Sequence, residues 1–206
     1  DAAEKLFAEG GINETSLRAI TTEAGANIAA VNYHFGSKEE LVKAVFSRRL
    51  GPINQQRLEL LATVQQRAAP QLPQIEEIIV AFLAPTVRIR ANPAYSGTHF
   101  MRLMGRLFFE SSHLKKIINE QYEEVQQHFF CAFQRVLPNL SATDFFWRFH
   151  FMVGVMAHTA AAGELLELIS AGHCDQSDAE AILRQMTAFV SAGFKADPSI
   201  VTPGEL

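Results

Sequence analysis

The sequence predicts an all-α fold, and three features carry that expectation. Apolar residues recur at intervals of three and four through most of the 206 residues. Stretches that alternate apolar and polar residues are few, and neither Asn-Gly nor Asp-Gly, the strongest hairpin signals, occurs. Helix-starting residues (Ser, Thr, Asn) and helix-stopping ones (Gly, Pro) stand between the periodic segments.

The elements follow in chain order. Asp1-Ala2-Ala3-Glu4-Lys5-Leu6-Phe7 puts Ala3, Leu6 and Phe7 on one face and reads as the middle of an amphipathic helix, so residues upstream are expected to be missing from the sequence given. Gly10-Gly11 ends this helix. Thr15 or Ser16 caps a second helix carrying Leu17, Ile20 and Ala24, and Gly25 stops it. Asn27 caps a third, short helix ending near Tyr33. Ser37-Lys38-Glu39-Glu40 is a capping box that opens a long helix from Lys38, which Gly51-Pro52 should kink or interrupt. Pro70 and Pro73 mark a break near 68–73. Further helices are expected over 74–90 (bent at Pro85), 98–110, 114–136, 142–170 and 178–195. Asn92-Pro93, Ser111-Ser112, Pro138-Asn139 and Gly172 to Ser177 separate them. The expected organisation is a three-helix unit over 1–50 and a second helical domain over 51–206.

Composition narrows the function. Apolar residues make up 48% and charged residues 19%, enough core for an ordered chain. No run of 18 apolar residues suggests a membrane span or a membrane role. Cys131 and Cys174 form no CxxC pair, which suits a reducing cytoplasm. The seven histidines are scattered, and neither HExxH nor GxSxG occurs, so no metal, cofactor or enzyme activity is expected. A net charge of −4 argues against a protein that binds nucleic acid over its whole surface, but not against one local binding surface.

Such a surface is predicted near the N-terminus. Three short helices, the second and third joined by a tight glycine turn, make a helix-turn-helix. The second helix braces on the DNA backbone, which places Thr15, Ser16 and Arg18 at its start among the expected contacts. The third lies in the major groove, so its outer side chains must be small or polar while its inner face packs. Val31 can face inward, while Asn27, Ala29, Ala30 and Asn32 can approach bases. Alanine allows close approach and methyl contact with thymine, and asparagine pairs bidentately with adenine. Residues 1–50 hold six Lys/Arg (Lys5, Arg18, Lys38, Lys43, Arg48, Arg49) against seven Asp/Glu (Asp1, Glu4, Glu9, Glu14, Glu23, Glu39, Glu40). One copy should therefore bind weakly, and two copies on a palindromic double-stranded operator are needed.

The segment from Ala24-Gly25-Ala26-Asn27 through Tyr33-His34-Phe35-Gly36-Ser37-Lys38-Glu39-Glu40-Leu41 closely resembles the DNA-binding domain of the TetR family of transcriptional regulators. The resemblance implies that Tyr33, His34 and Lys38 hold phosphates while the third helix reads bases. The chain departs from many members in carrying Asn32 where they have an aromatic residue.

The second domain is rich in large apolar residues, with adjacent pairs such as Phe108-Phe109 and Phe129-Phe130 and the run Phe145-Phe146-Trp147. Neighbours on a helix point in different directions, so one face can fill a core while another lines a pocket or an interface. Arg102, Arg106, Arg148 and His150 lie among them and must reach solvent, pair with an acid such as Glu110 or Glu164, or meet an anion. Phe100-Met101-Arg102-Leu103-Met104-Gly105 and Phe146-Trp147-Arg148-Phe149-His150-Phe151-Met152-Val153-Gly154, with Leu50-Gly51-Pro52, extend the resemblance to the PsrA-like, fatty-acid-responsive subgroup. That resemblance implies an apolar effector, a long-chain fatty acid or acyl-CoA, that releases a repressor from DNA. The expected wall is Phe100, Met104, Phe108, Phe129, Phe133, Trp147 and Phe151, with Arg102, Arg148 or His150 at the head group.

A homodimer is expected through the helices near 142–170 and 178–195. Gly154, Ala157, Ala160, Ala161, Ala162 and Gly163 would allow close approach, and Ile182, Leu183, Met186, Phe189, Val190 and Phe194 would pack beside them. The alternative reading is a helical lipid-binding or carrier protein whose first three helices only pack; such a protein has no reason to keep the Tyr33–Lys38 segment. A third reading keeps DNA binding but lets a protein or peptide act on the second domain.

Overall fold

The computed structural model describes residues 1–89, 99–100, 103–104, 112–161 and 163–197. Helices α1 (Ala2–Gly10), α2 (Leu17–Glu23) and α3 (Ile28–Phe35) precede a long α4 (Lys38–Ala68). Then come α5 (Ile75–Ile89), α6 (Ser112–Asn119), a 3-10 turn (Glu120–Tyr122), α7 (Glu123–Val136), α8 (Ala142–Ala161), α9 (Gly163–Ile169) and α10 (Ala179–Lys195). No strand occurs among the described residues, so the all-α expectation holds.

The helix starts are fixed by side chains that satisfy orphan amides. Ser16 Oγ accepts from Ala19 N at 3.1 Å, Asn27 Oδ1 from Ala29 N at 2.9 Å and Ser37 Oγ from Glu40 N at 3.1 Å. Of the two residues expected to cap α2, Ser16 is the one that does so. Thr15 is buried instead, its hydroxyl donating to Gly11 O and Leu6 O at 2.6 and 3.2 Å. At the far end of α2, Ala26 N donates to Thr21 O and Gly25 N to Thr22 O, with Gly25 at φ +60°. This is a Schellman stop, and a side chain at that φ would be strained.

Two expectations about helix ends are corrected. Gly51-Pro52 does not interrupt α4, which runs unbroken through it. Proline lacks the N–H that would bond to Arg48 O, but Arg48 is exposed and its carbonyl can meet water, while Leu50 and Ile53 on either side are 2% and 4% exposed and hold the helix to the core. The stretch expected as one helix over 114–136 is two helices joined by the 3-10 turn, whereas that expected over 142–170 is helical on both sides of residue 162, which lies outside the described residues. Most of the helix expected over 98–110 lies outside the described residues.

Two apolar clusters organise the molecule. One gathers Phe7, Ile12, Ile20, Val42, Phe46, Leu50 and Ile53 with Ile89, Phe100, Leu103, Leu114 and Ile118. The three-helix unit is therefore not packed on itself alone; its core continues into residues beyond 50, and α4 crosses the expected boundary. The other centres on α5, α7, α8 and α10, with Ile78, Ile79, Phe82, Phe129, Phe133, Leu183 and Phe194. There α5 and α10 run antiparallel, Lys195 pairing with Glu76 at one end and Arg88 with Glu180 at 2.8 Å at the other. Both pairs are solvent-exposed, worth under about 1 kcal/mol each, so they set register while the aromatic core supplies the stability.

Candidate nucleic-acid interface and effector cavity

Helix α3 contains no buried residue; only Val31 and Phe35 are half-buried, and they pack against the N-terminal cluster. A helix held by so narrow a stripe leaves its outer face free. Asn27, Ala29, Ala30, Asn32, Tyr33 and His34 are all exposed, Tyr33 at 86%, and its ring meets His34 edge-on at 5.2 Å. Asn27 also caps α3, so its carbonyl oxygen is committed and its amide nitrogen is the part that can face outward. Gly36 at φ +72° turns the chain from α3 into α4, and Lys38 opens α4 beside it. Its ammonium donates to Asn13 O at 3.0 Å, which fixes it in the loop between α1 and α2 with two further donors to offer. Ser16 and Arg18 are exposed at the start of α2. Thr15 is the exception among the expected contacts: buried, with its hydroxyl used inside the fold, it braces the loop from α1 to α2 and reaches no outside surface.

Ion pairs engage most of the cations of this unit. Glu4, with a side chain 3% exposed, accepts from Arg48 Nη2 at 2.7 Å and from Arg49 Nε and Nη2 at 2.9 and 2.8 Å. Burial alone would raise its carboxyl, but the hydrogen bonds from Arg49 and Arg48 outweigh that and hold it below the ordinary 4.5. Asp1 pairs with Arg48, Lys5 with Glu23 and Lys43 with Glu120. Four of the six cations of residues 1–50 are thus neutralised, and among the described residues Arg18 and Lys38 enter no ion pair. The unit is acidic in total, and Arg18 and Lys38 are its cations at the starts of α2 and α4, with Glu14, Glu39 and Glu40 close in sequence.

The second site is a cavity of about 400 Å³ between α4, α5, α6, α7 and α8. Phe100, Met104 and His150 line it, as expected from the sequence. Five other expected lining residues, all described, do not meet there. Phe129 and Phe133 are completely buried in the core, Phe133 stacking on Phe194 at 4.6 Å. Trp147 and Phe151 are 57% and 59% exposed on the outside of α8. Arg148 donates to Phe194 O and Ala196 O at 2.6 and 2.9 Å, closing the C-terminus of α10, where a cation suits the helix dipole. Arg102 and Phe108 lie outside the described residues.

Residues not singled out in the sequence complete the cavity: Leu50, Ile53 and Arg57 of α4, Phe82 and Thr86 of α5, Tyr122 of the 3-10 turn, and Phe149, Val153 and Met156 of α8. Arg57 is 1% exposed. Its Nε donates to Phe82 O at 2.9 Å, Nη1 to Asn54 Oδ1 at 2.9 Å and Nη2 to Thr86 Oγ1 at 2.8 Å, and the guanidinium lies 4.2 Å from the centre of the Phe82 ring. Burial holds its pKa below the ordinary arginine value, Tyr122 opposing; burial likewise raises the Tyr122 phenol against the pull of Arg57. A helical signal for Arg57 does exist, because Phe46, Leu50, Ile53, Arg57 and Leu61 step along one buried face of α4.

The surface expected for self-association also differs in detail. Of the large residues on α10, Leu183, Met186, Val190 and Phe194 are core and Phe189 is 69% exposed. On α8, Ala157 lines the cavity, a side chain at Gly154 would meet nothing within 4 Å, and Phe146, Trp147 and Phe151 are exposed; Ala160, Ala161, Ala162 and Gly163 lie outside the residues whose burial is described. A groove of about 430 Å³ runs beside them, lined by Phe151, Val155, Phe189 and Gly193.

Residues 1–45 match the family described as bacterial regulatory proteins, tetR family, and residues 80–193, more than half of the chain, match the tetracyclin repressor-like C-terminal domain. A 43-residue stretch is 54% identical to the HTH-type transcriptional dual regulator CecR of Shigella flexneri, spanning 21% of this chain and 19% of that one. Among solved structures, the fatty acid degradation regulator FadR from Bacillus halodurans superposes with a TM-score of 0.62 at 14% identity, over 96% of this chain and 94% of that one. FadR from Bacillus subtilis in complex with stearoyl-CoA gives 0.59 at 13% identity, over 91% and 95%. At these identities the likeness is one of fold.

Proposed function

The chain belongs to the tetR family of bacterial regulatory proteins, and on that footing we propose that this transcriptional regulator is a repressor, released from a palindromic operator when a long acyl chain enters the cavity. The observation that carries the DNA-binding half is α3, whose outer residues are all exposed while its two half-buried ones hold it to the fold. Asn32, Ala29 and Ala30 would read bases, and Tyr33, His34, Lys38, Ser16 and Arg18 would hold phosphates.

The effector half rests on the cavity, whose walls are mostly apolar, and on the stearoyl-CoA complex of a protein of the same fold. Each buried methylene contributes about 0.8 kcal/mol before costs, so affinity should climb with chain length until the cavity is full. Helix α4 links the sites: Lys38 starts it and Arg57 lines the cavity, roughly 28 Å apart at about 1.5 Å per residue. A ligand acts only through unequal affinity for two arrangements; here those differ in how α4 sits and therefore in the spacing of two recognition helices.

Two copies are needed to present two such helices. The exposed Phe146, Trp147 and Phe151 of α8 and Phe189 of α10 form an apolar face that a second copy, related by a two-fold axis, would cover. Titrating fatty acids and acyl-CoAs of graded length into the protein–operator complex tests the function. Release at concentrations well below the micelle point is expected; no release by any of them refutes acyl sensing and leaves DNA binding standing. Sedimentation at micromolar concentration tests assembly: a dimer is expected, shifting toward monomer in Trp147→Asp, and a wild-type monomer refutes it.

A further inference from the structure

We propose that Arg57 is the anchor for a free carboxylate, so that the effector is an acid bound head-inward and not a thioester. The inference rests on the acyl reading above and sharpens it. Arg57 sits at the floor of the cavity, 1% exposed, whereas Lys115, Asn119, Gln126 and His150 stand exposed at its mouth. Its partners, Phe82 O, Asn54 Oδ1, Thr86 Oγ1 and the Tyr122 phenol, are all neutral, and the sulfur of Met156 at 3.6 Å is a weak acceptor.

A guanidinium carries five N–H donors and stays charged in proteins. Among the described residues no carboxylate pairs with it. A buried charge held by dipoles alone is costly, and an ion pair with further hydrogen bonds relieves that cost. The neighbours do what a built anion site requires. Asn54 and Thr86 hold the planar fork from α4 and α5, Phe82 supports its face, and the cavity begins at its edge. Asn54 is fixed in turn, its amide donating to Gln121 O at 2.8 Å. A carboxylate at Arg57 would direct its alkyl chain past Phe149 and Val153 toward the mouth. A thioester entering tail-first would set a methyl end against the guanidinium and satisfy nothing.

The test is calorimetric titration of the full-length wild-type chain with dodecanoic acid, its methyl ester, dodecanol and dodecanoyl-CoA at pH 8. The acid is expected to bind at least about tenfold more tightly than the ester and the alcohol, and more tightly than the thioester. In Arg57→Gln the acid's advantage over the alcohol should disappear, while binding of dodecanol stays within about threefold of wild type. Arg57 bridges two helices, so the wild-type ligand series decides the matter even where that variant fails to fold. Equal binding of acid and alcohol, or tighter binding of the thioester, overturns the anchor and leaves acyl sensing intact. Binding of none of the four removes acyl sensing itself.

Discussion

Replacing Glu4 tests how the DNA-binding unit is joined to the helix that leaves it. The carboxylate, 3% exposed, receives three hydrogen bonds from two arginines of α4. Those arginines differ in exposure: Arg48 is 44% exposed and also reaches Asp1, whereas Arg49 is 14% exposed and held bidentately. Breaking a buried pair by removing one partner costs about 3–5 kcal/mol, and a solvent-exposed pair under about 1 kcal/mol. Glu4→Ala should therefore cost about 3 kcal/mol, mainly by stranding Arg49, and Arg48→Ala under about 1 kcal/mol. Urea unfolding of the full chain at pH 7, followed by far-ultraviolet circular dichroism, reads both. Equal losses from Arg48→Ala and Arg49→Ala would refute the assignment, since they would show that exposure does not decide which pair matters. The pH dependence gives a second check. The folded carboxyl titrates below the unfolded value of 4.5, so its stabilisation is complete above that value and is lost as pH falls through the lower folded-state pKa. Glu4→Ala should show a shallower loss of stability on acidification than wild type.

Lys38→Ala should weaken binding to operator and random DNA alike and reduce the salt slope by about one unit, measured by anisotropy at several salt concentrations. Asn32→Ala should cost about 1–3 kcal/mol on the operator and little on random DNA; equal losses on both would remove its base-reading role. Phe133→Ala should destabilise the fold by about 3–5 kcal/mol, as a fully buried ring stacked on Phe194 must. Trp147→Ala should leave stability within about 1 kcal/mol at concentrations where the chain is monomeric, and a larger loss there would contradict its exposure.

The three-helix unit was legible because its signals are local. Asn27, Ser37 and Gly25 act on amides and carbonyls two to five residues away, and each does in the structure what its chemistry predicts. The cavity was less legible because its lining is chosen by packing among distant segments. Phe100, Met104 and His150 reach it, but Phe129 and Phe133, equally apolar in sequence, turn into the core. Arg148 carries no mark to say that its partners are the last carbonyls of a helix 46 residues away. Arg57 is hard to read for the opposite reason: it stands among Gln55, Gln56 and Glu59 and reads as a solvated residue unless the buried stripe of α4 is followed through it. Pro52 is a misleading signal on its own, since tertiary contacts of Leu50 and Ile53 carry the helix past a lost hydrogen bond.

The narrow attachment of α3 has a consequence for how such a protein can diverge. Val31 and Phe35 hold the helix, while Asn27, Ala29, Ala30, Asn32, Tyr33 and His34 face outward. The residues that hold α3 to the fold and those proposed to read DNA are thus almost separate sets. On the proposed base-reading role, an exchange at Ala29, Ala30 or Asn32 would move the chain to a new operator at little cost in stability, so a duplicated gene would acquire different targets one substitution at a time while the cavity is inherited unchanged.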